Sequence, residues 1–197
     1  MLNINFSLEK DFGELNEKKL NRLIDASADL NLIQMQQIDD HSYVFAFEQG
    51  GIILKSDTKE IICALRSSSD LSIMFERFTQ FFEVLDLDLY GNLNFNIQGQ
   101  EEYSTSIALA SQHLLNIEDD TLGIGLRLLK DTSTEFPKEF RIEPKIDDFN
   151  SLFLLALQNS TKAIDISETI VENDLSNLID TLNKYKKIYL EKGGIFA

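Results

Sequence analysis

Tyr43-Val44-Phe45-Ala46-Phe47, Ile52-Ile53-Leu54 and Glu60-Ile61-Ile62-Cys63-Ala64-Leu65 are three β-forming runs. They are separated only by Glu48-Gln49-Gly50-Gly51 and Lys55-Ser56-Asp57-Thr58-Lys59. Gln49-Gly50-Gly51 is a hairpin signal and Ser56–Lys59 a polar turn. Parallel neighbours need a crossover of a dozen or more residues, so connections this short predict antiparallel strands in one sheet.

The pattern extends in both directions. Leu32 to Ile38, followed by the turn Asp39-Asp40-His41-Ser42, adds a strand ahead of Tyr43. Further upstream, Ile4, Phe6 and Leu8 alternate with Asn5 and Ser7, the period-two signature of a half-buried strand. Glu14 to Leu30 predicts a helix with Leu20, Leu23 and Ile24 on one face. Downstream, Asp70 to Leu85 carries Leu71, Met74, Phe75, Phe78, Phe81 and Phe82, a helix whose wide aromatic face packs on the preceding sheet. From Asp86 to Gln98, Leu87, Leu89, Leu93, Phe95 and Ile97 alternate with polar residues. This predicts one long strand bent at Gly91, or a tight hairpin, in a sheet covered on one side only.

The remainder predicts a helix over Tyr103–Leu115, strands over Leu122–Leu129 and around Phe140–Glu143, and a buried central strand at Leu152–Leu157. A long C-terminal helix runs from Ser167 or Glu168 to Leu190. The fold class is α+β, a mostly antiparallel sheet packed against helices in the order β-α-β-β-β-β-α-β-α-β-β-β-α. We read no internal repeat. The 197 residues form a single domain, with Asp131–Pro137 as the best candidate boundary.

Charge narrows the function. The chain has 18 Lys and Arg against 33 Asp and Glu, a formal net charge of −15. Two windows lack Lys and Arg altogether. Leu23–Leu54 contains Asp25, Asp29, Asp39, Asp40 and Glu48, and Phe78–Leu126 contains Glu83, Asp86, Asp88, Glu101, Glu102, Glu118, Asp119 and Asp120. Such a field repels nucleic-acid backbone and anionic membrane and attracts basic partners. The sequence therefore predicts a non-enzymatic acidic protein-binding module, an inhibitor, immunity-type or accessory protein. Its partner is a basic protein surface, such as the nucleic-acid-binding face of another protein, with no direct nucleic-acid or membrane binding. The expected binding face is Asp39, Asp40, Asp86, Asp88, Glu118, Asp119 and Asp120.

Two alternatives come from other classes. Val171, Leu175, Leu178, Leu182, Tyr185 and Tyr189 recur at coiled-coil-like spacing. They would let this helix, or the Phe-rich face over residues 71–82, join a homodimer or hetero-complex as an obligate subunit. The other alternative is a metal-dependent carboxylate hydrolase or nuclease, using Asp86, Asp88, Glu143 and Lys145 with Mg²⁺ or Mn²⁺. Glu143-Pro144-Lys145 is only a three-residue match to such a core, and Pro144 removes a ladder donor from the strand that would hold it.

We assign no catalytic, cofactor or metal residue. His41 and His113 have no second histidine at ligand spacing, and Cys63 lies in an apolar run where a buried thiol is expected. Gly123-Ile124-Gly125 lacks the third glycine of a phosphate cradle, and Gly193-Gly194 reads as the cap of the last helix. The lone cysteine, together with an N-terminus lacking a basic segment and a continuous apolar run, predicts a cytoplasmic protein.

Overall fold

The computed structural model describes residues 2–102, 125–130, 138–145, 148 and 151–190. In chain order the elements are β1 (Leu2–Glu9), α1 (Glu17–Ala28), β2 (Gln34–Asp39), β3 (Ser42–Phe47), β4 (Gly50–Lys55) and β5 (Glu60–Leu65). After a 3-10 turn at Ser68–Asp70 come α2 (Leu71–Val84), β6 (Tyr90–Gly91) and β7 (Leu93–Glu102). The chain continues with β8 (Leu126–Lys130), β9 (Lys138–Pro144), β10 (Ser151–Asn159), β11 (Ile164–Asp165) and α3 (Glu168–Leu190). Nine strands form one sheet in the order β2-β3-β4-β5-β1-β7-β10-β9-β8, and every neighbouring pair is antiparallel. The protein is thus α+β, a large antiparallel sheet packed with helices.

Period-two patterning decides which residues each strand buries. Ile4, Phe6 and Leu8 of β1 face the helices with Phe45, Phe47, Ile52, Leu54, Ile61, Cys63, Leu65, Leu93, Phe95 and Ile97, all buried in one core. Into this layer α2 inserts Met74, Phe75, Phe78, Phe81 and Phe82. The Phe78 ring sits 5.0 Å from Phe6 and 4.8 Å from Phe82, and Phe81 meets Phe45 edge-on at 4.9 Å. Such pairs add directional attraction to area burial. Cys63 lies fully inside, its thiol donating weakly to the Met74 carbonyl, and burial holds the thiol well above its ordinary pKa. That setting is inert rather than nucleophilic.

Several boundaries differ from expectation for local reasons. α1 starts at Glu17, because the Asn16 side chain accepts from the Lys19 amide and caps the helix there. Asp86–Gln98 is neither a bent strand nor a hairpin. Asp86 adopts a left-handed backbone (φ 58°), Tyr90–Gly91 pairs with β11 in a separate two-stranded sheet, and β7 begins only at Leu93. Pro144 is the last residue of β9, where a missing donor costs little. The helix expected over Tyr103–Leu115 lies outside the described residues. Asp131–Pro137 falls between β8 and β9, which are neighbours in the sheet.

The strand order has a partial two-sided arrangement that the sequence reading did not anticipate. Five strands, β2-β3-β4-β5-β1, lie on one side of the β1–β7 contact and four, β7-β10-β9-β8, on the other. On one side β1, a helix and a meander ending in β5 return to pair with β1; on the other, the meander ending in β10 returns to pair with β7. Helices α2 and α3 follow the two meanders in turn. The central strands carry a short echo in sequence: Leu2-Asn3-Ile4-Asn5-Phe6 and Leu93-Asn94-Phe95-Asn96-Ile97 share the leucine and both asparagines. In the antiparallel register Asn5 faces Asn96, the pair through which a two-fold relation would pass. Five residues of echo are too few to read as a repeat.

Opposite the core, alternate residues form the second face of the sheet. Asn5, Ser7, Asn94, Asn96 and Gln98 make an amide-rich centre. It is flanked by Ile53 and Ile62 on one side and by Phe153, Leu155 and Leu157 on the other. At its far margin Glu139 accepts a two-pronged bond from Arg127 (2.8 and 3.1 Å) and another from Arg141. These arginines pull the Glu139 carboxyl from its ordinary 4.5 down to about 2. A depressed carboxylate contributes stability above its unfolded pKa, and that contribution is lost as pH falls through the folded value. Glu139→Gln should therefore cost about 1 kcal/mol near neutral pH. In urea titrations, the gap between variant and parent should close as pH drops from 4.5 towards about 2. A gap that does not change with pH would show that the carboxylate charge is not what stabilises.

Candidate interaction surface

Within the Lys/Arg-free window Leu23–Leu54, β2, β3 and most of β4 are neighbours that form one margin of the sheet ending in edge strand β2, and the second half of α1 precedes them in the chain. The window's five acids, Asp25, Asp29, Asp39, Asp40 and Glu48, are all exposed. Among the described residues none of the five forms an ion pair. Placement follows from the register. Gln34 pairs with Ala46, so Glu48 and the Asp29–Asn31 bend lie towards the start of β2. Asp39 pairs with Ser42, so Asp39 and Asp40 lie at its end.

The turn at that end is built by its own side chains. The His41 amide donates to Asp39 Oδ1 at 2.8 Å, and Gln37 Nε2 donates to the Asp39 carbonyl at 3.0 Å. The His41 amide and the Ser42 hydroxyl hold the Asp39 carboxyl below its usual pKa, so it stays anionic. Ser56 donates from its amide and hydroxyl to the His41 carbonyl, fastening this turn to the β4–β5 turn.

Asp86 and Asp88 are differently placed. The register Asp39–Ser42–Lys55–Glu60–Glu9 puts β1's end, and Lys10 after it, at the same end of the sheet as the Asp39 turn. Asp88 pairs with Lys10, which lowers its pKa, and Asp86 reaches Arg22 at 3.5 Å. A Lys59–Asp11 pair at 2.6 Å stands nearby. Three strand spacings, about 14 Å, separate β3 from β1. The expected acidic face is thus divided. Asp39 and Asp40 keep uncompensated charge, Asp86 and Asp88 are each met by a cation, and Glu118, Asp119 and Asp120 lie outside the described residues. Asp29 and Glu48, towards the start of β2, stand on the same margin as Asp39 and Asp40 at its end. The signal for them was the same Lys/Arg-free window, but which of its residues share an edge depends on strand order.

The expected oligomer seam is spent internally. Val171, Leu175, Leu178 and Leu182 are 0–2% exposed, and Tyr185 packs edge-on to Phe140 at 5.2 Å. The Tyr189 side chain lies outside the described residues. The aromatic face of α2 is likewise core. Nor are the four residues of the hydrolase alternative brought together. Asp86 and Asp88 sit at the Lys10 end of β1, whereas Glu143 faces Phe153, which faces Gln100, beyond the start of β1. An eight-residue strand spans about 26 Å, so these carboxylates cannot converge. Lys145 donates to Gln100 Oε1 at 3.3 Å. Among the described residues no three His, Cys, Asp or Glu side chains gather closely enough to hold a metal ion.

Arg77 is a feature that sequence reasoning missed. It lies on the buried side of α2, only 6% exposed, with its guanidinium 4.6 Å above the Phe47 ring and donating to Gln49 Oε1 at 2.7 Å. Burial lowers its pKa, opposed by the field of Glu76 and Glu48. It ties α2 to the β3–β4 turn within the acidic margin.

No protein-family model and no curated protein sequence matches this chain. Among the described residues no helix is long and apolar enough to cross a membrane.

Proposed function

We propose that this protein is a non-catalytic acidic binding module that docks a basic surface of a partner protein, as an inhibitor, immunity-type or accessory subunit. The observation that carries this reading is the β2 margin, where Asp29 and Glu48 towards one end of β2 and Asp39 and Asp40 at the other are exposed and, among the described residues, form no ion pair. Uncompensated charge held on a rigid sheet steers a basic partner and disfavours nucleic acid itself. A single, fully buried cysteine accords with a reducing compartment such as the cytoplasm.

Asp29→Lys, Asp40→Lys and Glu48→Lys together reverse the field while leaving Asp39 to hold its turn. Parent and variant should be used side by side to capture proteins from the source cell at low and high salt. Basic proteins should elute from the parent with salt and be depleted about tenfold or more on the variant at low salt. Equal recovery of the same proteins on both would refute the reading.

A further inference from the structure

The structure shows not only an acidic margin but an available strand at its rim. β2 is one of the two edge strands of the nine-stranded sheet, and among the described residues nothing pairs with its outer side. Gln34, Gln36, Gln37 and Ile38 are exposed, and Ile33 and Ile38 are 64% and 58% exposed. Natural edge strands are usually blunted by lysine, proline, inward charge or a bulge. From Ile33 to Gln37 this one carries none of these, and the register shift comes only between Gln37 and Asp39. Met35 faces the core side, half-buried against it, and Ile33 shares that parity but lies open. A further strand laid on β2 would continue the apolar layer over Ile33. Its ends would fall beside Asp29 and Glu48 on one side and Asp39 and Asp40 on the other.

We propose that β2 receives an extended, lysine- or arginine-bearing segment of the partner by strand addition, its alternate apolar side chains covering Ile33. Main-chain bonds to the open edge supply affinity, and the acids at both ends of β2 select a basic segment. A second copy of this chain fits the edge poorly, since two such margins would bring acids against acids. The proposal rests on the basic-partner reading above and specifies its mode.

The test titrates the intact protein with a peptide of about ten residues alternating valine and lysine, long enough for one strand. A counterpart is N-methylated at every second amide, and backbone amide exchange of Gln34–Gln37 is followed by NMR. The unmodified peptide should slow exchange of the outward amides, and the N-methylated one should bind at least about tenfold more weakly. Gln34→Lys with Gln36→Lys, at exposed positions, should weaken the unmodified peptide similarly.

Salt-sensitive binding of both peptides alike, without protection of β2, would leave the basic-partner reading standing and overturn strand addition. Absence of salt-dependent binding by either peptide would remove both. Protection of β2 that rises with protein concentration and needs no peptide would assign the edge to a second copy and overturn the proposal.

Discussion

Phe78→Ala is expected to cost about 3–5 kcal/mol, the range for deleting a fully enclosed aromatic ring. Phe78 is 0% exposed and meets Phe6 of β1 and Phe82 of its own helix. The surrounding rings come from a strand and a helix already fixed by other contacts, so they cannot close over the space. The cost therefore includes the cavity as well as lost transfer energy. Urea denaturation followed by circular dichroism gives the difference directly. Phe78→Leu should recover a large part of it, and Ile73→Ala on the exposed side of α2 should stay within about 0.5 kcal/mol. A loss below about 1 kcal/mol for Phe78→Ala would contradict its place at the centre of the core.

Gly50→Ala should be nearly as damaging, for a different reason. A Cβ at Gly50 would stand 2.0 Å from the Ala64 carbonyl oxygen of β5, a backbone atom held in the sheet ladder. Neither strand can retreat without breaking pairing on its other side, because β4 is held by β3 and β5 by β1. We expect a loss of about 3 kcal/mol or more, at the upper end of overpacking penalties. Gly51→Ala meets the Phe45 carbonyl at 3.2 Å and should cost distinctly less. Paired thermal melts of the two variants would check the order. Equal effects would mean that close approach at Gly50 is not what requires glycine there. The turn itself is Glu48–Gln49, so the glycines serve the sheet more than the bend.

Burial alternates where the sequence alternates. Ile4, Phe6 and Leu8, or Leu93, Phe95 and Ile97, were legible because a half-buried strand writes its faces into every second residue. The seam from Val171 to Leu182 was legible as a helix face but not in its destination, since core and dimer contacts demand the same residues. The β6–β11 ladder could not be read, because two residues carry no period and depend on a distant partner. For the candidate surface, the two Lys/Arg-free windows were visible from composition. The division of their acids was not, because Lys10 meets Asp88 across 78 positions and Arg22 meets Asp86 across 64. Arg77 was hidden because a cation on an apolar helix face needs a specific ring and amide beneath it, and Phe47 and Gln49 lie about 30 residues upstream.

The β1–β7 junction has a consequence for assembly. Across it Ile4 meets Ile97, Asn5 meets Asn96, Phe6 meets Phe95 and Leu8 meets Leu93, so like faces like at four of the seven registered positions. Self-complementary pairing of this kind is the mark of an isologous dimer interface. Here both partners belong to one chain. Residues 10–92, which join the two strands, make their meeting intramolecular and independent of how much protein is present. Half-sites that would otherwise depend on dilution are permanently paired, and each is free to diverge.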